Sequence, residues 1–239
     1  MATKQIATRA DLSIRVLHAE VCGRRQRLAL EHPALVRLTH WLNVVVLLIM
    51  VGSGMEILAA FPSFGDKVPE TDLLQVPQAI RLGGWLGGAL QWHLTFMWLF
   101  VGTGLAYGVY QATSGRWRQT LFGPRDIRGV WPMVRHYFLF GPKPPQTEPY
   151  NPLQKLAYTV TLASAAALVA TGWMLYKPVQ LDGLVQLCGG FGMVRLGHFL
   201  AMCGLLAFIP GHLLIVALHG WNNCRAMLDG YKREPEYLE

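Results

Sequence analysis

The stretch LGHFLAMCGLLAFIPGHLLIVALHGWNNC, residues 196–224, runs for 29 residues without Asp, Glu, Lys or Arg. A helix needs about 20 apolar residues to cross the hydrocarbon of a bilayer. Further charge-free runs occupy residues 38–55, 82–115 and 156–176. The four runs predict membrane-spanning helices near residues 36–59, 87–111, 154–177 and 194–220. Buried helices of a large soluble core are the less favoured alternative, because only 15% of the residues are charged and the mean hydropathy is +0.30.

The distribution of basic residues predicts how these helices are oriented. Seven Lys and Arg residues precede the first run, six lie in the loop between the second and third predicted helices, and three follow the fourth run. The two other loops carry two each. Because basic loops stay on the cytoplasmic side, both termini are expected in the cytoplasm. The same bias accounts for the net charge of +7, so we predict contact with membrane lipid and no nucleic-acid partner.

These observations predict an all-α fold, an integral membrane four-helix bundle in the bacterial inner membrane. Its transmembrane domain is expected at residues 35–222, between a basic N-terminal segment at 1–34 and a C-terminal tail at 223–239. The stretch DIRGVWPMVRHYF, residues 126–138, mixes arginine with aromatic residues and predicts a helix at the headgroup level. A second short interfacial helix is expected around Leu73–Leu82.

Four of the eight histidines fall inside the predicted spans, at positions 40, 93, 198 and 212. An imidazole in hydrocarbon is costly, so a histidine there is a candidate functional residue. With the orientation above, His93 and His198 lie toward the outer face, and His40 and His212 toward the inner face. The fourteen residues from His198 to His212 turn through about 1400°, close to four full turns, and rise about 21 Å. Both side chains should therefore face one seam at two depths.

Two histidine pairs at two depths predict two hemes, each bound by two axial imidazoles from facing helices. Arginine stands three residues before a ligand in RLTH, residues 37–40, and in RLGH, residues 195–198. Arg37 and Arg195 are therefore candidates to pair with heme propionates, although arginine at such a position also marks helix ends. Small residues in membrane helices more often serve helix packing. Seven glycines in the predicted spans would nevertheless let a flat macrocycle approach the backbone: Gly52, Gly54, Gly102, Gly104, Gly172, Gly204 and Gly211.

Four stretches resemble the bacterial four-helix diheme cytochromes b: HPALVRLTHWLN at 32–43, YNPLQKLAY at 150–158, RLGHF at 195–199 and HLLIVALHGWNNCRAMLDG at 212–230. That family includes membrane subunits of nickel–iron hydrogenases, gamma subunits of formate dehydrogenases and homologues encoded beside molybdopterin-dependent oxidoreductases. The resemblance covers about residues 31–231. It implies two heme b groups, the outer one held by His93 and His198 and the inner one by His40 and His212. It also implies electron transfer between an outer oxidoreductase and a quinone near the inner heme.

The predicted function is thus a membrane-anchoring cytochrome subunit that links a periplasmic oxidoreductase to the quinone pool. The partner would be of hydrogenase, formate dehydrogenase or molybdopterin type, contacted directly or through an iron–sulfur or cytochrome subunit. No catalytic residue for substrate chemistry is predicted. Polar residues at helix ends are often simply solvated. Four of them at the inner rim are nevertheless candidate quinone contacts: His219, Asn222, Asn223 and Asn43.

Two other function classes fit the sequence less well. A transporter or proton channel with a histidine relay is disfavoured, because the spans hold no Asp or Glu except Glu56 and the histidines pair by depth. A self-sufficient transmembrane reductase of the ascorbate type is disfavoured, because six helices are expected for it and only four spans are predicted.

Overall fold

The computed structural model describes residues 16–21, 24–64, 75–142, 144–145, 150–219 and 221–235. Four long helices follow the predicted spans to within three residues at each end: α1 (Ala34–Ala60), α2 (Leu86–Ser114), α5 (Pro152–Tyr176) and α7 (Phe191–His219). The shorter helices are α3 (Trp117–Thr120), α4 (Ile127–Phe138), α6 (Asp182–Leu187) and α8 (Trp221–Asp229). The chain divides into two compact units, one of residues 43–210 and one of residues 1–42 with 211–239.

Among the described residues, α1, α5 and α7 are long and apolar enough to cross a membrane. Very little of their most apolar 18-residue windows is buried by the protein: 17% in α1, none in α5 and 6% in α7. Apolar helix surface left this exposed needs a lipid environment, because a soluble protein buries most of its large apolar side chains. The chain is therefore a membrane protein, and the alternative of a soluble helical core is wrong.

Helix α2 has the length of a span, at 29 residues, but it is not among these three helices. The cause lies in its composition, since it contains Trp92, Trp98, Tyr107 and Tyr110 together with two glutamines. Such aromatic residues lower the mean hydropathy but are common at membrane interfaces. The fourth span, the four-helix bundle and the cytoplasmic location of both termini therefore stay predictions.

The start of α5 shows why the YNPLQK stretch has its sequence. The Asn151 Oδ1 atom accepts a hydrogen bond from the Gln154 backbone N–H at 2.9 Å, and Gln154 Oε1 accepts one from the Asn151 N–H at 3.1 Å. This reciprocal capping box satisfies two N–H groups that lack intrahelical partners. Pro152 occupies the first helical position, where its missing N–H costs nothing.

A buried ion pair joins the start of α5 to the start of α4. The Lys155 Nζ atom lies 3.0 Å from Asp126 Oδ1, and the two side chains are 5% and 14% exposed. Burial by itself would raise the pKa of Asp126, but the hydrogen bonds from the Gly123 backbone N–H and from Lys155 hold that pKa below its usual value. Asp126 directly precedes α4, so the pair ties the start of this helix to the start of α5.

The helix predicted at residues 126–138 is confirmed as α4, with Met133 buried and Trp131 exposed. Its placement at the headgroup level stays a prediction. The second interfacial helix, expected around Leu73–Leu82, is reduced to one 3-10 turn at Gln78–Ile80, and residues 73–74 lie outside the described part of the chain. The turn begins directly after Pro77 and ends at Arg81, whose extended backbone stops the helical conformation there.

The second unit contains a three-stranded antiparallel sheet, so the all-α prediction is wrong for the ends of the chain. Strands β1 (Val16–Val21), β2 (Arg24–Leu30) and β3 (Tyr231–Pro235) follow one another in the order β1-β2-β3. Val21 pairs with Arg24, and Leu30 pairs with Tyr231. The sheet joins the two ends of the sequence, and the charged RRQRLAL stretch lacks a strict polar–apolar alternation, so a local pattern did not indicate it. The predicted boundaries at residues 34 and 222 stay predictions.

In the same unit, α1 satisfies the last carbonyl groups of α8. Arg37 Nη1 donates a hydrogen bond to the Leu228 carbonyl at 2.6 Å, and Trp41 Nε1 donates one to the Met227 carbonyl at 3.0 Å. The terminal carbonyls of a helix have no partner within the helix, so these contacts supply them. Gly230 ends α8 with a φ of 93°, a conformation that favours glycine, and leads into β3.

Candidate heme site

The first histidine pair lies in the unit of residues 43–210. His93 is carried by α2 and His198 by α7, and their ring centroids are 6.3 Å apart with an angle of 64° between the ring planes. Both side chains are half-buried. The structure therefore brings together the two residues that the depth argument assigned to one heme.

The Nδ1 atom of each of these imidazoles lies within hydrogen-bonding distance of a hydroxyl group. Ser53 Oγ, on α1, lies 3.0 Å from His93 Nδ1, and Thr171 Oγ1, on α5, lies 2.9 Å from His198 Nδ1. The sequence interpretation missed Ser53 and Thr171. In both cases a hydroxyl residue directly precedes a glycine in the middle of an apolar helix, and this shared pattern is the signal that could have identified them.

The glycines that follow these hydroxyl residues pack against the same rings. A Cβ atom built on Gly54 would lie 3.4 Å from His93 Cε1, and one built on Gly172 would lie 3.2 Å from His198 Cε1. Two other glycines from the sequence analysis face protein instead: Gly52 faces Leu82, and Gly204 faces Ser164. Small residues here therefore serve both the histidines and helix packing.

The second pair lies in the unit formed by the two ends of the chain. The ring centroids of His40 on α1 and His212 on α7 are 6.1 Å apart, with 57° between the ring planes. The ring of His40 also makes an edge contact with the Trp41 ring at 5.2 Å. The structure thus pairs His40 with His212, as the depth argument predicts.

Both separations suit two imidazoles that share one iron atom. Metal–imidazole bonds of about 2 Å on each side, with about 1.2 Å from each nitrogen to its ring centre, put the centroids about 6 Å apart. Within the described residues there is no group of three or more His, Cys, Asp and Glu side chains that could hold a metal ion. A pair of histidines without further protein ligands fits heme, because the macrocycle supplies the other four ligands.

The two candidate propionate arginines hold backbone carbonyl groups. Arg195 donates from Nη1 to the Ser63 carbonyl at 2.7 Å and from Nη2 to the Phe61 carbonyl at 2.6 Å, just beyond the end of α1. Arg37 caps α8 as described above. Both arginines therefore bind carbonyl groups at or just beyond the end of another helix. A guanidinium has five N–H donors, so pairing with propionates stays a prediction.

The candidate quinone residues are only partly described. The Asn43 side-chain amide contacts Thr103 Oγ1 at 2.9 Å, a polar contact between α1 and α2 of the kind that joins membrane helices. His219 is the last residue of α7, and Asn222 and Asn223 belong to α8. Their side chains lie outside the described part of the structure, so their quinone role stays a prediction.

Comparisons with known proteins agree on one family. The family described as prokaryotic cytochrome b561 matches residues 31–230. The "Putative protein-methionine-sulfoxide reductase subunit YedZ1" of Azospira oryzae is 38% identical over 188 residues, which cover 78% of this chain and 90% of that protein. The "Probable Ni/Fe-hydrogenase B-type cytochrome subunit" of Cupriavidus necator is 24% identical over 235 residues, 89% of each chain. No solved structure gives a significant match.

Proposed function

Because the chain belongs to the prokaryotic cytochrome b561 family, we propose that it is the diheme membrane subunit of an oxidoreductase and exchanges electrons with the quinone pool. Membership of the family implies b-type heme. The number of hemes, the quinone and the partner are the proposed part. The observation that carries the proposal is the presence of two separate histidine pairs with ring centroids 6.1 and 6.3 Å apart, a separation at which each pair would hold one heme.

The four histidines form two pairs of heme ligands in this proposal. His93 and His198 hold one heme b, and His40 and His212 hold the other. Bound heme supplies reversible one-electron redox chemistry. Each imidazole binds as the neutral ring, because only a deprotonated ring nitrogen can bind iron.

The relatives favour a partner that is an oxidoreductase. The relative with the higher identity carries the name of a methionine-sulfoxide reductase subunit, and the other carries that of a hydrogenase cytochrome subunit. Reduction of a sulfoxide consumes two electrons and two protons and releases water. We therefore propose a reductase partner on the periplasmic side of the bacterial inner membrane, to which this multi-pass subunit delivers electrons from quinol.

The quinone is proposed to bind beside the His40–His212 heme. This pair lies toward the cytoplasmic face in the predicted orientation, and the predicted polar rim residues His219, Asn222 and Asn223 follow it in sequence. Asn43 is a weaker member of this set because its amide is already engaged with Thr103. Proton exchange with the quinone would then occur on the cytoplasmic side.

Single histidine substitutions test the pairing. His93→Ala and His198→Ala should each remove the same spectral component of the reduced protein, and His40→Ala and His212→Ala should each remove the other. His136→Ala is the matched control, because its ring is engaged with the Gly141 carbonyl at 2.9 Å outside the proposed sites. If His40→Ala and His198→Ala removed the same component, the assignment would be wrong.

A further inference from the structure

Two hydroxyl residues occupy equivalent places behind His93 and His198. Ser53 is completely buried on α1, with its Oγ atom 3.0 Å from His93 Nδ1. Thr171 is half-buried on α5, with its Oγ1 atom 2.9 Å from His198 Nδ1. The two contacts use different helices on each side, α1 with α2 and α5 with α7, so the arrangement occurs twice independently.

The hydroxyl protons determine the direction of these hydrogen bonds. Ser53 Oγ lies 2.7 Å from the Ile49 carbonyl, and Thr171 Oγ1 lies 2.6 Å from the Ala167 carbonyl, in each case four residues earlier in the same helix. A hydroxyl group has one proton to donate. When that proton goes to the helix carbonyl, the oxygen can only accept, and the donor is the N–H at Nδ1 of the histidine.

The direction of this bond decides which ring nitrogen is available to a ligand. With the proton on Nδ1, the Nε2 atom of each neutral ring keeps its lone pair and points away from the hydroxyl. A hydrogen bond from the other ring nitrogen fixes the tautomer and the ring orientation of a metal-binding histidine. Gly54 and Gly172 complete the support, because each lies against the Cε1 side of the same ring.

We propose that Ser53 and Thr171 are positioning residues that hold His93 and His198 as the Nδ1–H tautomer and tune the heme that this pair binds. This inference rests on the proposed function. A neutral hydroxyl whose proton is engaged elsewhere is a weaker acceptor than a carboxylate, so it draws the Nδ1 proton only moderately. The imidazole then has moderate basicity, and the oxidised iron is stabilised less than it would be by carboxylate-supported ligands.

Removal of the acceptor gives a directional test in the full-length protein reconstituted with heme. Thr171→Val keeps the side-chain shape but removes the hydroxyl, so the His198 ring becomes less basic. The reduction potential of the His93–His198 heme should rise, by up to about tenfold in the redox equilibrium, or about 59 mV for one electron. The reduction potential of the His40–His212 heme should not change. Thr171→Ser should restore the original value.

A matched control exists on the same helix. Thr161 Oγ1 makes the same bond to the carbonyl four residues earlier, that of Ala157 at 2.8 Å, but its hydroxyl contacts neither histidine pair. Thr161→Val should leave both potentials unchanged. Ser53→Ala provides a second, independent variant and should raise the same potential as Thr171→Val. The electron paramagnetic resonance g-values of the oxidised protein, which depend on the orientation of the two imidazole planes, should change for that heme alone.

The outcomes separate this inference from the proposed function. Two hemes in the wild type, with Ser53→Ala and Thr171→Val both leaving the potentials and g-values unchanged, would overturn the positioning role but leave the diheme function intact. A wild-type protein that binds no heme at the His93–His198 pair would overturn the function itself. The inference would also be supported if Thr171→Val lost one heme while Thr171→Ser and Thr161→Val both kept two.

Discussion

Substitution of Gly172 by alanine should weaken heme binding while it stabilises the helix. A Cβ atom at this position would lie 3.2 Å from His198 Cε1. Carbon atoms in contact prefer a separation of about 3.5–4.0 Å, so the ring must retreat by about 0.3 Å or more. Metal–ligand distances tolerate only about 0.2 Å of deviation. The perturbation therefore exceeds what the bond between iron and His198 can absorb without a cost.

The expected magnitude follows from the role of such supporting contacts. Disturbing the groups around a metal ligand typically costs about 10- to 100-fold in affinity, and we expect Gly172→Ala to fall at the lower end of that range. Gly54→Ala should have a smaller effect, because its Cβ atom would lie at 3.4 Å from His93 Cε1, close to ordinary contact. The structure thus predicts a graded series with Gly172→Ala the more severe.

Gly102→Ala is the control for the intrinsic effect of alanine. Gly102 has no atom within 4 Å of a built Cβ, and it lies nine residues after His93, a turn of about 900° that puts it on the opposite face of α2. Replacing a helical glycine by alanine adds about 1 kcal/mol of helix stability. All three variants should therefore keep or raise the thermal stability of the heme-free protein.

The assay is a heme titration of the heme-free protein in detergent, followed by absorbance, beside a thermal unfolding curve for each variant. We expect stability to be kept or increased in all three and heme affinity to be reduced in the order Gly172→Ala, then Gly54→Ala. If Gly172→Ala bound heme as tightly as Gly102→Ala does, the packing argument for His198 would be refuted.

Three further outcomes are expected. Asp126→Asn removes the carboxylate that lies 3.0 Å from Lys155 Nζ, and loss of this charged hydrogen bond should cost about 1.5–3 kcal/mol in detergent unfolding. Because folding lowers the pKa of Asp126, the wild type should lose this stabilisation only as the pH falls through that lowered pKa. The Asn variant should lack this pH dependence. Equal stability of the two proteins at neutral pH would contradict the role of the pair. His219→Ala should keep both hemes but slow electron exchange with quinone, and an unchanged rate would remove His219 from the quinone site. Purification in mild detergent should recover an oxidoreductase subunit with the chain, and recovery of the chain alone from assembled membranes would contradict the proposed partner.

The sequence was sufficient for the long helices because each span is determined by local composition. The spans predicted from the charge-free runs match the ends of α1, α2, α5 and α7 within three residues, since a charged residue is costly inside hydrocarbon wherever the chain goes. The histidine pairs could also be predicted, because helix direction and the fourteen-residue step convert sequence position into depth. The observed pairs, His93 with His198 and His40 with His212, are those that the depth argument expects.

The features that the sequence did not reveal depend on contacts between distant residues. The sheet of β1, β2 and β3 pairs the two ends of the chain, and no local pattern indicates that these ends meet. Ser53 and Thr171 are single polar residues in apolar helices, where most hydroxyl groups simply bond to their own helix. Only the position of the facing imidazole distinguishes them from Thr161, which makes the same bond within its helix. Arg37 and Arg195 were placed near the right helix ends, but their carbonyl partners required the folded structure.

The most direct test of the account is the heme content of the purified, assembled protein. Heme is measured by the pyridine hemochrome assay and protein by quantitative amino-acid analysis, so that the ratio does not depend on a dye standard. Two histidine pairs at 6.1 and 6.3 Å predict about two hemes b per chain. A ratio near one heme per chain would contradict the assignment of a heme to one of the two pairs. A ratio near zero in properly assembled protein would contradict the central claim.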